Sequence, residues 1–406
     1  MRILLTEGSG LTSRQVATRL GELGHDVEVL SSTRLCLTRF TRHVRRVHAV
    51  PRFGEDPLAW LDAACTVARE RRADLLFPTQ EQVAVLSAFA SGLEVRTVVP
   101  PFDALMQLQD KRAQSLTLAR LGLPQPAFTI ATGAESLAGV RTFPVYVKRP
   151  VSTASSGVRR ATNPGELALA ARALGLAGDG VVVQSQADGP LAMVQAIADG
   201  GRLIACHANL RLRDGAGGGA SSKESIAVPA IAEHVEVLVG ALRWHGPISL
   251  DAILTATGPV YIDVNPRLVE PGNALAAGVD LVAAMVALAR GEHPPPGRPG
   301  PSGVRSHQLL LAVLGAAAER HGRLAVCREL ADCLLRRDGY RASVEELTPV
   351  RRDPLGALPV AVAAATTLIR PQSWRWFVKE SVDSYALTPG GWAEIASARR
   401  AAASTS

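Results

Sequence analysis

The chain has few cysteines and few aromatic residues, and both shortages narrow the classes of protein it can belong to. Its five cysteines contain no Cys-x-x-Cys pair, so neither a disulfide framework nor a cysteine zinc site is indicated. Aromatic residues make up 4% of 406 residues, against 47% hydrophobic residues in all. The composition favours a reduced, cytoplasmic setting and cores in which Ala, Leu and Val pack helices against sheets.

Long apolar runs and blocks of basic residues are also missing. A membrane-spanning helix needs about 20 apolar residues, whereas residues 355–369 are fewer and are expected to be interrupted by Pro359. The amino-terminal MRILLTEGSG is typical of a first strand and a turn, not of a signal peptide. A net charge of +7 favours an anionic ligand, but the arginines are scattered, so nucleic acid is not indicated as a partner.

Strands alternate with helices through the first hundred residues. Residues 2–6 predict a strand, residues 14–23 an amphipathic helix and residues 26–30 a second strand. This rhythm predicts a small doubly wound α/β unit. Gly8-Ser9-Gly10 lacks the third glycine of a dinucleotide fingerprint, and no acid ends the second strand. We therefore expect a tight turn there, not a nicotinamide site.

A proline- and glycine-rich segment separates the last hundred residues from the rest. Residues 293–303, HPPPGRPGPSG, cannot continue a helix and predict a linker. The following residues, 304–406, are expected to be mainly helical, with Trp374, Trp376 and Phe377 ending an apolar helix. This extension could cap a substrate site, form a dimer contact, touch a membrane surface peripherally or simply pack as a helix.

The strongest chemical pattern lies in residues 261–267, Tyr-Ile-Asp-Val-Asn-Pro-Arg. Apolar and polar residues alternate here, so a strand would place the oxygen atoms of Asp263 and Asn265 on one face, where they could share a hard cation. Pro266 would end the strand as Arg267 turns toward the ligand of that cation. The alternative from these residues alone is a strand followed by an Asx-type turn.

A second pattern surrounds Lys148, which a predicted strand carries into a loop of small residues. A lysine there presents a compact positive charge to phosphate oxygens. The loop offers backbone N–H groups and hydroxyls that could fold over a triphosphate, from Ser152, Ser155, Ser156 and Gly157. The alternative for Lys148 is a solvated strand lysine.

The order of these features resembles the ATP-grasp superfamily. Lys111, Lys148, a strand ending at residues 184–189, and the acid-bearing strands follow one another as they do in that family. RWHGPISLDAILTATGPVYIDVNPR is similar to the Gly-hydrophobic-Glu-Phe strand and Glu-x-Asn-Pro-Arg segment of its carbamoyl-phosphate-synthase-like and carboxylate–amine ligase branch. ESIAVPA is similar to that branch's Asp-Ser-Ile-x-Val-x-Pro segment. The resemblance covers about residues 1–292.

The resemblance implies a mixed α/β and α+β architecture. Residues 1–105 would form a Rossmann-like pre-ATP-grasp domain, and residues 106–292 would form the ATP-grasp domain. Its first lobe would span residues 106–183 and its second lobe residues 184–292. The extension lies outside the resemblance.

The resemblance also implies which residues bind the nucleotide and the metal. Lys111 and Lys148 would be the two nucleotide lysines. The hinge that contacts adenine or ribose would comprise Gln184, Ser185 and Gln186, with Ser185 where the family usually has Glu. Asp251, Asp263 and Asn265 would hold Mg²⁺, or Mn²⁺ as the alternative, although Glu is commoner at both acidic positions.

The implied reaction is ATP-dependent formation of an amide from a small-molecule carboxylate and an amine, through an acyl phosphate. Arg267 would stabilise that intermediate. Arg211 and Arg213 before the glycine-rich loop at residues 215–219, and Lys223 and Glu224 after it, are candidate contacts for substrate or phosphate, and the alternative is a charged rim beside a loop. Glu270 and Asn273 would face the acceptor. The alternatives are a carbamoyl-phosphate-synthase-like phosphorylation of bicarbonate or carbamate, and a non-catalytic nucleotide-binding regulator. A homodimer is one expected assembly.

Overall fold

Three β-sheets organise the protein, and the largest runs through its centre. The computed structural model describes residues 1–319 and 322–404, with backbone alone at 154, 155 and 319. Within these ranges, a four-stranded parallel sheet is followed by a four-stranded antiparallel sheet and a seven-stranded mixed sheet. The mixed α/β and α+β class expected from the sequence is confirmed.

The amino-terminal unit is a parallel sheet with the strand order β3-β2-β1-β4, packed between helices. Leu4, Leu30 and Leu76 from its strands pack in one core with Trp60 and Leu86 from its helices. The elements are β1 Arg2–Leu5, α1 Leu11–Glu22, β2 Asp26–Ser31, β3 Val44–Ala49, α2 Pro57–Arg71, β4 Leu75–Phe77 and α3 Val83–Phe89.

A carboxylate of the chain itself occupies the turn between β1 and α1. Glu7 accepts hydrogen bonds from the backbone N–H groups of Ser9 and Gly10 and from the Ser13 hydroxyl. Free N–H groups at a helix start are what a dinucleotide-binding turn offers to pyrophosphate. Here those donors are engaged by Glu7, which fits the tight turn expected from the sequence.

Four helices and an antiparallel sheet of order β5-β8-β6-β7 form the next part. Asp110 caps α5 by accepting from the Arg112 backbone N–H at 2.7 Å, and Asn163 caps α7 by accepting from the Glu166 N–H at 2.9 Å. The elements are α4 Phe102–Gln109, α5 Lys111–Arg120, β5 Phe128–Ala131, α6 Ala134–Ala138, β6 Val145–Lys148, β7 Val158–Ala161, α7 Pro164–Ala173 and β8 Val181–Ser185.

The central sheet begins with five antiparallel strands, ordered β13-β12-β9-β10-β11. Its buried face packs Ile248, Leu250 and Tyr261 against Val235 and Leu238 of the covering helix. The elements are β9 Leu191–Asp199, β10 Arg202–Asp214, β11 Ala220–Ile226, α8 Pro229–Ala241, β12 Gly246–Thr255, β13 Gly258–Asn265, α9 Gly272–Ala276 and α10 Leu281–Ala289.

The carboxy-terminal extension is mainly helical, but it also extends the central sheet. Its first strand pairs with β11 and its second strand pairs parallel with the first. Farther on, Leu387 and Ile395 enter the core of the amino-terminal unit. The elements are β14 Arg305–His307, α11 Leu309–Glu319, α12 Arg323–Leu334, β15 Ser343–Glu345, α13 Ala357–Ile369, α14 Trp374–Asp383 and α15 Pro389–Ser404.

Two sequence expectations about this extension are wrong. Pro359 does not interrupt its helix, because it lies in the first turn of α13, where a missing N–H costs no hydrogen bond. The aromatic residues do not end that helix, because α13 ends at Ile369 and Trp374 begins α14. No helix in the described part of the chain is long and apolar enough to cross a membrane.

Candidate active site

A cavity of about 1040 Å³ lies between the four-stranded antiparallel sheet and the central sheet, with the amino-terminal unit and α14 at one end. Ligand pockets usually measure about 300–1,000 Å³, so this space suits more than one small molecule. Ten of the residues singled out from the sequence for phosphate, hinge, metal or substrate contact line it: Lys148, Ser152, Gln184, Ser185, Arg211, Asp251, Asp263, Asn265, Arg267 and Glu270.

Asp251 and Asp263 face the cavity from neighbouring strands. They are direct partners in the register of β12 and β13, and the register shifts immediately after them. The shift leaves Ile262 as an extra residue in β13, a β-bulge. The bulge departs from the strict alternation expected from the sequence, and it frees the Ile262 carbonyl for a side-chain partner.

The two aspartates differ in their partners. Lys111 pairs with Asp263, and Lys111 and Lys148 hold the pKa of Asp263 below its usual value, although burial opposes this. Among the residues that the structure describes, Asp251 has no hydrogen-bond or ion-pair partner. Burial, reinforced by the adjacent Asp263 charge, raises the pKa of Asp251 to about 6.

These acids suit a hard cation that shares its coordination with a second ligand. Asp251, Asp263 and the amide of Asn265 line the same cavity, and oxygen ligands are those that Mg²⁺ prefers. No group of three or more His, Cys, Asp or Glu side chains in the described ranges, this site included, could hold a metal ion by itself. Asp251, Asp263 and Asn265 would therefore hold an ion together with phosphate oxygens or water.

Lys148 is buried in the cavity wall. Its ammonium donates to the Ile262 carbonyl that the bulge exposes, and burial lowers the pKa of Lys148 to about 8, with Asp263 opposing that shift. A buried ammonium with one neutral acceptor is under-compensated, so an anionic ligand would stabilise it. Lys111 lies behind the wall, where it shares a small adjoining space with Lys148.

Among its described side chains, the serine-rich loop contributes one hydroxyl to the cavity. Ser152 Oγ is buried and has no hydrogen-bond partner among the described atoms. Gly157 makes room for it, since a Cβ at Gly157 would lie 2.1 Å from Ser152 Oγ. Ser156 is exposed and donates to the Thr153 carbonyl at 2.8 Å, and the side chain of Ser155 lies outside the described part.

Two of the three residues of the expected hinge face the cavity, and the third does not. Gln184 and Ser185 line the cavity. Gln186 does not, because its amide donates to Asp188 at 3.0 Å and accepts from Arg160 at 3.2 Å. Apolar side chains from both sheets line the same region and could enclose a flat aromatic base: Tyr146, Leu191, Met193, Ile253 and Ile262.

Two arginines reach the cavity beside the acids. Arg267 Nε donates to the carboxylate of Glu81 at 3.0 Å, across a separation of 186 residues. Arg211 donates to the Gly218 carbonyl at 2.9 Å and pairs with Asp214. Both guanidinium groups oppose the raised pKa of Asp251. The sequence carried no signal for Glu81, because its role depends on the packing of two distant segments.

Lys223 lies outside the cavity. Its side chain is 1% exposed and contacts Glu270 at 2.6 Å and Glu346 at 2.5 Å. Glu270 itself lines the cavity, with a φ of 44° that is strained for a residue other than glycine. The ion pair with Lys223 therefore holds Glu270 in place.

Asn273, the other residue expected to face the acceptor, is buried. It forms hydrogen bonds with His207 and Ser306, at 2.8 Å each.

Comparison with known proteins identifies the fold. No family model matches the chain, and no curated protein matches it. Solved structures do match. The biotin carboxylase domain of Hydrogenobacter thermophilus 2-oxoglutarate carboxylase, determined with MgADP and bicarbonate, is 18% identical with a TM-score of 0.58, over 72% of this chain and 71% of that one.

Two further structures show the same fold. N5-carboxyaminoimidazole ribonucleotide synthetase from Thermus thermophilus is 18% identical with a TM-score of 0.58, over 75% of this chain and 81% of that one. An L-amino acid ligase from Bacillus licheniformis is 20% identical with a TM-score of 0.56, over 71% and 74%. The chain therefore has the fold of the ATP-grasp superfamily.

Proposed function

We propose that the protein is an ATP-dependent carboxylate–amine ligase. The carboxylate would attack the γ-phosphorus of Mg·ATP to form an acyl phosphate and ADP, and the amine would then displace phosphate to form an amide. The observation that carries this proposal is the convergence of Lys148, Asp251, Asp263, Asn265 and Arg267 on one cavity. Such an arrangement performs phosphoryl transfer by positioning and charge neutralisation.

The nucleotide end of the cavity would be served by the first lobe. Lys148 and the Ser152 hydroxyl, which has no hydrogen-bond partner among the described atoms, would bind phosphate oxygens. Gln184 and Ser185 would contact the base or ribose. Asp251, Asp263 and Asn265 would hold Mg²⁺, or Mn²⁺. A bound Mg²⁺ neutralises phosphate charge as the phosphoryl group moves.

Arg267 would stabilise the acyl phosphate. Its Nε is committed to Glu81, and that bond fixes the plane of a guanidinium whose remaining N–H groups can bind two oxygens at once. Arg211 lies in the same cavity and would neutralise the carboxylate before transfer. Lys223 would not contact the substrate but would position Glu270.

Glu270 would receive the amine. It follows Arg267 by three residues, lines the cavity and is fixed by Lys223 and Gln308. Its carboxylate can accept a hydrogen bond from an ammonium group and take its proton as the amine attacks. This assignment leaves the covalent steps to substrates alone, because the mechanism needs no enzyme nucleophile.

Phosphorylation of bicarbonate is the second candidate, since one structural neighbour was determined with that anion. The size of the cavity favours the ligase, because bicarbonate is small and apolar side chains line much of the space. The regulator hypothesis differs in predicting nucleotide binding without turnover. The cytoplasmic location and the homodimer stay predictions.

The test is ADP release from Mg·ATP, measured across pairs of organic or amino acids and amines with bicarbonate as one acid. We expect release that requires both an acid and an amine. Lys148→Ala and Asp263→Ala should abolish it, whereas the exposed controls Lys379→Ala and Asp62→Ala should not. Acid-dependent release that survives both site changes would refute the site, and tight ATP binding without turnover in any mixture would indicate the regulator.

A further inference from the structure

The cavity has a second end, built from apolar side chains, which we call the apolar chamber. It is lined from the amino-terminal unit, from α11 and from α14 by Leu11, Leu37, Phe40, Leu310, Leu314 and Phe377. All but Phe40 belong to one hydrophobic cluster. Three distant segments thus meet to enclose a space that they do not fill, although buried apolar side chains normally pack without voids.

A positively charged side chain, that of Arg211, lies at the boundary of the apolar chamber. The Gly217 turn touches α14, since a Cβ at Gly217 would lie 2.6 Å from a Val378 methyl carbon. The next residue in that turn, Gly218, accepts the hydrogen bond of Arg211. Arg211 therefore joins the apolar wall to the metal and Arg267 end of the cavity, so one ligand could meet a guanidinium and the wall together.

The mouth of the apolar chamber carries unusually exposed apolar side chains. Trp376 is 61% exposed and Leu35 is 75% exposed, and both line the cavity. The Trp376 ring packs edge-on against Phe377 with centroids 5.0 Å apart. An apolar group entering the chamber would remove these surfaces from water, which favours binding.

Hydrogen bonds within the chain hold the wall of the apolar chamber. Ser381 of α14 donates to the Ser9 carbonyl at 3.1 Å, and Ser384 donates to Glu7 at 3.2 Å. These bonds tie α14 to the turn at the start of α1. A wall held by such bonds loses little conformational freedom when a ligand binds, so the entropy cost of binding is smaller.

We propose that the acid substrate is a carboxylic acid with an apolar body, aromatic or branched aliphatic. Its carboxylate would lie by Arg211 and Arg267, and its body would fill the apolar chamber. The proposal rests on the proposed function in assigning this ligand as the group that is phosphorylated. An amine with an apolar body fits less well, because its ammonium would meet the two guanidinium groups.

The experiment measures binding and turnover separately. Calorimetry with Mg²⁺ and a non-hydrolysable ATP analogue would compare aryl and branched alkyl carboxylates with hydroxylated carboxylates of equal length, and with the matching amines. We expect the apolar acids to bind at least about tenfold more tightly than the polar acids. Trp376→Ala and Leu35→Ser should each weaken the apolar acids severalfold, with binding of the ATP analogue unchanged.

Ile369→Ala is the matched control, since Ile369 is 75% exposed on α13 and does not line the cavity. Equal binding of polar and apolar acids, preference for apolar amines, or no effect of either chamber variant would overturn the proposal. ADP release separates this result from the proposed function: polar acids turned over while apolar acids fail would refute the chamber alone. Apolar acids bound with no release for any amine would refute the ligase alone.

Discussion

Asp251 and Asp263 are direct partners on neighbouring antiparallel strands, and Lys111 pairs with Asp263. Without a cation, burial and the nearby charge of Asp263 together raise the pKa of the Asp251 carboxyl to about 6. Such an arrangement costs folding free energy that a bound Mg²⁺ would return. The aspartate pair therefore lowers the stability of the metal-free protein and favours the binding of Mg²⁺.

We expect Asp251→Asn to stabilise the metal-free protein by about 1 kcal/mol at neutral pH, because it removes the repulsion. The same change should weaken Mg²⁺-dependent ATP binding by about tenfold or more, since a ligand is lost. Urea denaturation without metal and calorimetry with Mg²⁺ measure the two effects. Glu292→Gln, at an exposed site, is the control. Loss of stability with Mg²⁺-dependent binding intact would contradict a metal role.

Glu81 positions Arg267 from the amino-terminal unit. Glu81→Gln keeps the shape of the side chain but weakens the bond to the guanidinium. We expect kcat to fall by about tenfold while KM for ATP stays constant, because the misplaced group acts on the acyl phosphate. Steady-state kinetics of Glu81→Gln and of the exposed control Glu55→Gln measure this. A higher KM for ATP at unchanged kcat would show that Glu81 does not act through Arg267.

Arg14 and Asp353 form a fully buried ion pair, with Nη2 and Oδ2 2.9 Å apart, between α1 and the segment before α13. Asp353→Asn should destabilise the protein by about 3 kcal/mol, because the buried guanidinium loses its countercharge. Replacing both residues by Met and Leu should cost much less. Denaturant unfolding of the single and double variants tests this, and equal losses in both would mean that packing, not charge, holds this contact.

His307 predicts how stability changes with pH. It is buried under Ser343 and Tyr340, and burial lowers the pKa of His307 to about 4 from 6.5, although Glu346 and Glu329 oppose this. The folded protein therefore holds His307 neutral. The contribution of His307 to the free energy of unfolding is fully present above pH 6.5. It is lost as the pH falls toward 4, and the loss reaches up to about 3 kcal/mol.

His307→Gln should flatten that part of the pH profile, since Gln cannot be protonated there. Unfolding free energies between pH 4 and 7 for the two proteins provide the measurement. Glu345, whose pKa is raised by burial, acts in the opposite sense and is present in both. An unchanged slope in the variant would assign the acid sensitivity to another group.

Residues 261–267 show which features of the site can be predicted from local sequence and which cannot. The alternation of apolar and polar side chains is a property of the strand itself, so it could indicate that Asp263 and Asn265 share a surface. The bulge at Ile262 could not be anticipated, because it arises from the register with β12. That bulge decides where the Lys148 ammonium binds.

Lys223 shows where sequence reasoning stopped. Its position beside a glycine-rich loop suggested a substrate contact, yet Glu346, 123 residues later, helps to bury it. The extension likewise could be described as mainly helical, but not as two further strands and the wall of a chamber. Helical periodicity is visible in sequence, whereas the partner of each helix is not.

By itself the sequence determined the strand-and-helix composition, the strand that carries acid and amide, and the lysine with its small-residue loop. Each of these depends on neighbours a few residues apart, where backbone geometry translates pattern into structure. The tertiary structure alone decided the Glu81–Arg267 pair, the burial of Lys223 and the apolar chamber. These join segments that lie a hundred or more residues apart, and only packing of the whole chain brings such surfaces together.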